Sequence, residues 1–218
     1  MTPPTAPGYE LLDPRNNAAE APYTFFLPRD AELAAISAGD HVQLMFEHIP
    51  PGQEWGVERM WVSVEEVNGQ QLSGVLASKP FEPTATVKIG DNIQFKRFQI
   101  IGIDWTDRER APRLEPRRQY WDRCLVDDCV LDGSEPVEYV YREAPDMDEE
   151  GDDHPDSGWR IRGRMGEATD EEIDARTPRY VALGAVLNRD DSWVHLIDEP
   201  VGARYMRDFK RDTYLAET

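Results

Sequence analysis

The residue types that could catalyse a reaction or bind a metal are few in this sequence and lie far apart. Its four histidines form no i, i+4 pair and no HExxH pattern; they are His41, His48, His154 and His195. Its two cysteines, Cys124 and Cys129, have an odd separation and would point to opposite faces of a strand. Two buried small residues are therefore favoured over a zinc site. We predict no metal site, no cofactor and no disulfide.

One serine lies in a context that could support hydrolysis. Ser157 follows Asp156 and stands three residues after His154, so a nucleophile and a base are close in sequence. The alternative is a turn in which these polar side chains cap the loop, and the sequence favours it. No glycine-rich phosphate loop and no GxSxG pattern occurs elsewhere. The chain is therefore predicted not to be an enzyme, and a hydrolase that uses these three residues is the alternative.

The strongest chemical feature is negative charge. The chain has 43 acidic and 24 basic residues, a formal net charge of −19. Residues 143–174 alone hold 13 acidic residues against three arginines. Such a surface repels the phosphates of nucleic acids and of anionic membranes, and it attracts a basic protein. We predict no nucleic-acid partner and no membrane partner. The two interpretations left open are a docking face for a basic protein and a solvated surface that only aids solubility.

The exposed acids of this run are the candidate partner-binding residues. The first choice is Asp148, Glu149, Glu150, Asp152 and Asp153, and the second is Asp170, Glu171 and Glu172. Residues 146–152 also have the oxygen spacing of a calcium loop, but Ser157 stands where the bidentate glutamate is expected. A solvated acidic loop is therefore favoured over a calcium site.

The elements that must position these residues are short. Alternating apolar residues predict strands at 40–46, 58–67, 71–77, 85–89, 92–98, 99–105, 123–131, 137–142, 158–162, 180–187 and 193–196. Hairpin turns are predicted at Asn68-Gly69 and Gly90-Asp91. Helices are predicted at 30–37 and 171–174, the second with Thr169 as N-cap and Glu172 as its capping-box partner. The pattern is typical of the α+β class, with antiparallel pairing throughout.

The domain organisation follows from these segments. A flexible tail is predicted at 1–14, an α+β domain at 15–105, a charged linker with prolines at 106–118, a second α+β domain at 119–212, and a tail at 213–218. Each domain is expected to be a mostly antiparallel curved sheet with one or two short helices. There is no apolar run of about 20 residues and no signal peptide, so a cytoplasmic location is predicted.

Four segments of the second half, in order, resemble one bacterial family. They are residues 124–126, 140–145, 156–160 and 200–207, of which Tyr-Arg-Glu-Ala-Pro at 141–145 and Asp-Ser-Gly-Trp at 156–159 are the most distinctive. The family is that of immunity protein 33 of polymorphic toxin systems, a former domain of unknown function, and the resemblance covers about residues 119–212. The chain departs from it at 163–167, where the family has a Gly-Asp-Glu stretch.

The first half, about residues 15–105, resembles a second, uncharacterised bacterial domain. The segments that carry this resemblance are 38–44, 58–62, 74–76 with Pro80, 89–93 and 103–105. It brings no catalytic residues to carry over. The role of this half is therefore left open.

The first resemblance implies a non-enzymatic acidic protein that neutralises a bacterial toxin by masking its active or substrate-binding surface. Its motif residues are expected to be structural: Tyr141, Arg142, Glu143, Pro145, Asp156, Ser157, Gly158 and Trp159. Arg142 and Glu143 are interpreted as an internal ion pair, and Trp159 as a core residue. The alternative is a regulatory or scaffold module that binds a cytoplasmic protein or a peptide by strand addition to the first domain.

Overall fold

The computed structural model describes residues 8–148 and 150–217, which divide into two compact units. Unit 1 comprises residues 8–20 and 25–116, and unit 2 comprises residues 21–24 and 117–217. Each unit has one sheet and one apolar core of its own. The predicted α+β class is confirmed. Within the described residues, no helix has the length and apolar character needed to cross a membrane.

Unit 1 is built on an antiparallel sheet. Its strands are β1 (Tyr9–Leu11), β2 (His41–His48), β3 (Val57–Asn68), β4 (Gln71–Leu76), β5 (Asn92–Lys96) and β6 (Gly102–Asp104), and its helices are α1 (Arg15–Glu20) and α2 (Asp30–Ala35). The order is β1-β2-β3-β4-β5. β1 and β6 share one edge of β2, because β1 pairs with residues 46–48 and β6 pairs with residues 41–43.

The alternation that predicted the central strands of unit 1 is the alternation of burial in the fold. Every second residue of β3 from Glu58 to Val64 is buried, and the intervening residues face outward. The β3–β4 hairpin turns at Gly69, whose φ of +61° is accessible to glycine. The segment at 85–89, however, is not a strand, and the prediction there was wrong. Val87 is its one buried residue, and Ile89 is 59% exposed, so the alternating apolar residues of this segment do not all pack on the core.

Unit 2 has a mixed sheet. Its strands are β7 (Arg123–Asp127), β8 (Val137–Arg142), β9 (Asp156–Gly163), β10 (Pro178–Ala182), β11 (Arg204–Asp208) and β12 (Thr213–Ala216), and its helices are α3 (Asp128–Leu131), α4 (Asp170–Asp174) and α5 (Leu183–Leu187). The order is β10-β7-β9-β8-β11-β12. β7 and β9 are parallel, whereas the other pairs are antiparallel. The expectation of antiparallel pairing throughout was therefore wrong.

Several predicted strands of unit 2 are part strand and part helix. The segment 123–131 leaves the sheet after Asp127 and continues as α3, and the segment 180–187 leaves it after Ala182 and continues as α5. Residues 194–196 form a 3-10 turn instead of a strand. Short apolar runs fit a buried helix turn as well as a strand, so periodicity cannot separate the two. The described residues of unit 2 accordingly include three short α-helices, where one or two were expected.

The chain ends also differ from the prediction. Tyr9–Leu11 falls in the predicted flexible tail 1–14 and Thr213–Ala216 in the predicted tail 213–218, but both are strands that pair with a neighbour. Tyr9 and Leu11 pack on the core of unit 1, and Tyr214 belongs to the core of unit 2. Burial of these side chains explains the order of both segments.

Candidate functional site

The motif residues of the second half meet at one place in unit 2. In the β8–β9 pairing, Tyr141 lies opposite Arg160 and Arg142 lies opposite Trp159. The next residue, Glu143, donates its backbone N–H to the C=O of Gly158 over 2.8 Å. The antiparallel register thus brings 141–143 against 156–160, and the chain between them, residues 143–155, forms the acidic loop.

Trp159 is a core residue, as expected. Its side chain is fully buried, and its ring centroid lies 5.5 Å from that of Trp193. Its indole N–H donates to the C=O of Ile197 over 3.2 Å, which satisfies its polar atom. On the same ring lies the Arg142 guanidinium, 5.7 Å from the centroid. The tryptophan therefore joins the sheet to the segment around 193–197.

Arg160 is the centre of the polar network, and sequence reasoning did not select it. Its guanidinium lies 2.9 Å from Asp156, 2.8 Å from Asp146 and 3.3 Å from Glu143. Only 5% of the Arg160 side chain and 1% of the Asp156 side chain are exposed. The one signal in the sequence was an arginine between Trp159 and Ile161, in a strand that reads as buried.

Arg160 and Asp156 stabilise each other in their charged forms. Hydrogen bonding to Asp156 raises the pKa of Arg160 against the opposing effect of burial. Burial alone would raise the pKa of Asp156, but hydrogen bonds from Arg160 and from the N–H groups of Gly158 and Asp146 outweigh it and lower that pKa. Both groups are therefore ionised at neutral pH.

The predicted ion pair between Arg142 and Glu143 was wrong. Arg142 donates to two backbone carbonyls, that of Ser157 over 3.0 Å and that of Glu199 over 2.6 Å. The carboxylate of Glu143 instead lies 3.3 Å from the guanidinium of Arg160. Adjacent residues of an extended chain point to opposite sides, which explains why they do not meet.

Gly158 allows the two strands to approach closely. Its φ is +80°, and a Cβ built on it would lie 2.1 Å from the C=O oxygen of Glu143. A side chain at this position would therefore be strained in its backbone and would clash with the backbone of Glu143, the residue that follows β8. The predicted structural role of this glycine agrees with both observations.

Ser157 is held in a structural hydrogen-bond pattern. Its hydroxyl donates to the C=O of Arg123 over 2.6 Å and accepts from the N–H of Trp159 over 3.2 Å. The His154 ring lies against Trp121, with 6.2 Å between the centroids. Asp156 is engaged by Arg160. The structure thus does not assemble these three residues as a nucleophile with its base.

The acidic loop is fixed at both of its ends. At its start, Asp156 accepts from the N–H groups of Asp146 and Met147, at 3.2 and 3.3 Å. At its end, Asp152 pairs with Arg123 and its other oxygen accepts the His154 N–H over 3.0 Å. Between these two ends, the described residues 148, 150 and 151 are exposed.

The first-choice acids therefore differ in what they can offer to a partner. Asp148, Glu150 and Asp153 are exposed, and within the described part of the chain none of them forms an ion pair. Asp152 is used inside the fold, since its side chain is 12% exposed and bound to Arg123. Glu149 lies outside the described residues. Three exposed carboxylates remain.

The second-choice acids belong to α4. Glu171 and Glu172 are exposed, and the side chain of Asp170 lies outside the described set. Glu172 forms the predicted capping box with Thr169, and hydrogen bonds from Thr169 lower the pKa of Glu172. Its carboxylate therefore stabilises the start of the helix. In the part of the chain that the structure describes, no three acidic, histidine or cysteine side chains converge to hold a metal ion.

A second cluster of buried carboxylates lies in unit 1, and sequence reasoning missed it. Glu58 lies 2.6 Å from Nε2 of His48, with side chains 5% and 3% exposed. Glu82 accepts the backbone N–H groups of three consecutive residues, 53–55, over 2.9–3.0 Å. These two carboxylates hold the loops that carry the exposed Trp55 and Phe81. Composition alone does not separate them from surface acids.

Acid is expected to destabilise the fold through its bound aspartates. Hydrogen bonds and nearby arginines outweigh burial and lower the pKa values of Asp40, Asp156 and Asp190. A folded pKa below the unfolded value of about 3.9 means that this stability is present above pH 4 and is lost as pH falls through the folded values.

We expect urea unfolding free energies at pH 3 to be well below those at pH 7. The Asp156→Asn variant should lose less stability between these pH values than the exposed control Asp148→Asn. Equal losses in the two variants would contradict the assignment.

Comparison with known families gives a match for each half. Residues 124–216 match the family model described as the immunity protein Imm33 domain. Unit 2 resembles an immunity protein. Residues 23–110 match the model of an uncharacterized protein conserved in bacteria, DUF2314. Neither the curated proteins nor the solved structures give a match. Both resemblances inferred from the sequence are thus confirmed.

Proposed function

We propose that the protein binds and neutralises a bacterial toxin, and that the acidic loop of unit 2 forms part of the contact surface. The match of residues 124–216 to the immunity protein Imm33 domain carries the proposal. The proposed role is binding without catalysis, in the cytoplasm. The toxin is proposed to be a basic protein whose active or substrate-binding surface is covered.

The construction of the acidic loop supports this role. Arg160 and Asp156 fix its start and Arg123 fixes its end, so the exposed Asp148, Glu150 and Asp153 stand on a braced segment. A braced loop loses less conformational entropy on binding than a free one. Carboxylates on it would steer a basic partner and speed its association, with a strong dependence on salt.

Protection of cells tests the neutralisation. The candidate toxin domain is sought in the genes beside the gene of this protein and is expressed in a reporter bacterium, with and without the protein. Growth should be restored only when the protein is present, because a masked active surface cannot act. Failure of the protein to protect cells from that toxin, when both are shown to be expressed, would reject the proposal.

The acidic loop is tested with the purified pair. We expect Asp148→Asn, Glu150→Gln and Asp153→Asn together to weaken toxin binding by about 10- to 100-fold and to reduce its salt dependence. The matched control neutralises three exposed acids of unit 1, Glu65, Glu66 and Glu109, and so changes the net charge equally. Equal affinity of the two triple variants for the toxin would show that the acidic loop is not part of the interface. It would not contradict the proposed neutralisation.

A further inference from the structure

The sheet of unit 1 has two open edges that face one cleft. The end strands β1 and β5 are not paired with each other within the described residues. They line a cleft of about 570 Å³ together with Gln99; the lining residues are Tyr9, Glu10, Leu11, Asn92, Gln94 and Gln99. The five strands alternate in direction, so β1 and β5 run the same way.

The free edge of β1 follows from its hydrogen bonds to β2. The C=O of Gly8 accepts from Ile49, and the N–H of Leu12 donates to Met45. Backbone groups of an antiparallel strand point to alternate sides. The backbone N–H and C=O groups that point to β2 are therefore those of Gly8, Glu10 and Leu12. The backbone groups of Tyr9 and Leu11 face the cleft.

The free edge of β5 follows in the same way. The C=O of Asp91 accepts from the N–H of Leu76, and the N–H of Arg97 donates to the C=O of Gln70. The backbone groups of the odd-numbered residues of β5 therefore point to β4. The backbone groups of Asn92, Gln94 and Lys96 face the cleft. Edges of this kind are templates for pairing with another strand.

At one end of the cleft, a side-chain amide already occupies the place of a strand. Gln99 accepts the N–H of Lys96 on its Oε1 over 2.8 Å and donates from its Nε2 to the C=O of Leu11 over 2.7 Å. One amide group thus bonds β5 on one side and β1 on the other, as a peptide unit does between two neighbouring strands. The separation there is therefore that of two strand spacings, about 9–10 Å.

We propose that this cleft binds an extended segment of a partner protein, which pairs with β1 and β5 and carries a lysine or arginine beside Glu10. The segment runs antiparallel to both strands, because they share one direction. It continues the bridge that Gln99 begins and gives partners to the cleft-facing groups of Tyr9, Asn92 and Gln94. Strand addition of this kind obtains its affinity from backbone hydrogen bonds.

The residues beside the cleft define the chemistry of that segment. On the core side lie Tyr9, Leu11 and Phe95, so every second side chain of the segment is apolar. On the outer side, Glu10 lies directly opposite Glu47, and neither forms an ion pair within the described residues. Like charges in direct cross-strand register are destabilising. A cation on the outer side of the segment relieves this repulsion.

The probe is a synthetic peptide of about seven residues that alternates valine with lysine or threonine. Added to the full-length protein, it should shift the amide resonances of Tyr9, Leu11, Asn92 and Gln94 and slow their hydrogen exchange. The same peptide with N-methylated backbone amides should bind at least about tenfold more weakly, since it keeps its side chains but loses its donors. Equal binding of the two peptides overturns the proposal, and so does the absence of shifts at about 1 mM peptide.

Two variants at one position separate strand pairing from side-chain contact. Gln94→Pro removes a cleft-facing N–H on an edge strand, where proline is tolerated, and should abolish binding of the peptide. Gln94→Ala keeps that N–H and should bind within about threefold of the native protein. Unfolding of each free variant is measured alongside, so that loss of fold is not read as loss of binding. Retained binding by a folded Gln94→Pro variant, or binding by a second copy of the chain in place of the peptide, overturns the proposal. The inference concerns unit 1 and does not depend on the toxin.

Discussion

Replacing Arg160 with alanine is expected to lower the free energy of unfolding of unit 2 by about 3–5 kcal/mol, because it leaves a buried carboxylate without its charge partner. Asp156 has 1% of its side chain exposed and bonds Arg160 at 2.9 Å. The remaining N–H donors, from Gly158, Asp146 and Met147, are neutral and cannot replace the charge of the guanidinium. Urea unfolding followed by NMR measures the change, with the indole signals of Trp159 and Trp193 reporting unit 2.

The control for this variant is Arg211→Ala. Arg211 also pairs with an aspartate, Asp208 at 3.3 Å, but 75% of its side chain is exposed. Its removal should cost less than about 1 kcal/mol. The Trp61 signal reports unit 1 in both variants and should keep its midpoint, since Trp61 is in β3. Equal costs for the two arginines would mean that Asp156 is better solvated than its burial indicates.

The same variant connects stability to the proposed function. Arg160 also pairs with Asp146, so its loss removes one of the contacts that hold the start of the acidic loop. A loop that must be ordered on binding has a lower affinity for its partner. Weakened toxin binding by Arg160→Ala at a temperature where unit 2 is still folded would therefore be consistent with a braced loop.

The local features of this fold were predictable because they depend on near neighbours. Alternating burial in β3, the turn at Gly69 and the capping box of α4 each need only a few consecutive residues. The change from β7 to α3 at Asp128 was not predictable in this way. The apolar residues on both sides of that point fit either element, and packing against the rest of unit 2 decides between them.

The parallel pairing of β7 with β9 could not be predicted from local sequence patterns. β9 is inserted between β7 and β8, although β8 follows β7 in the chain. A strand buried between two neighbours tolerates Asp156 and Arg160 only because they neutralise each other. The sequence shows both residues, but their pairing depends on the register.

In the candidate site, too, some features were predictable from the sequence and others depended on the tertiary structure. Composition correctly identified a strongly acidic segment, and the exposed Asp148 and Asp153 lie within it. Composition did not show that Asp146 and Asp152 pair with arginines of the fold, because those arginines come from β9 and β7. An acid far from its partner in sequence looks like a surface acid. Only the tertiary structure separates the carboxylates that brace the loop from those offered to a partner.

Gly158→Ala is expected to destabilise unit 2 more than any other glycine substitution with a comparable backbone angle. A Cβ at Gly158 meets the Glu143 carbonyl oxygen at 2.1 Å, and φ is +80°. The angle alone costs about 1–2 kcal/mol for a residue with a side chain. The clash adds to this cost because the atom it meets is backbone in the β8–β9 connection, and we expect a total above about 3 kcal/mol.

Gly133→Ala isolates the clash from the angle. Gly133 has a φ of +79°, and a Cβ built on it meets nothing within 4 Å. Both variants therefore carry the same backbone cost, and the difference between their unfolding free energies measures the contact with Glu143. A difference near zero would show that residues 143 and 158 separate easily, and the close approach would then not hold the acidic loop in place. A large difference, with Asp148 and Glu150 more accessible to exchange in Gly158→Ala, would show that the glycine keeps the loop against β9.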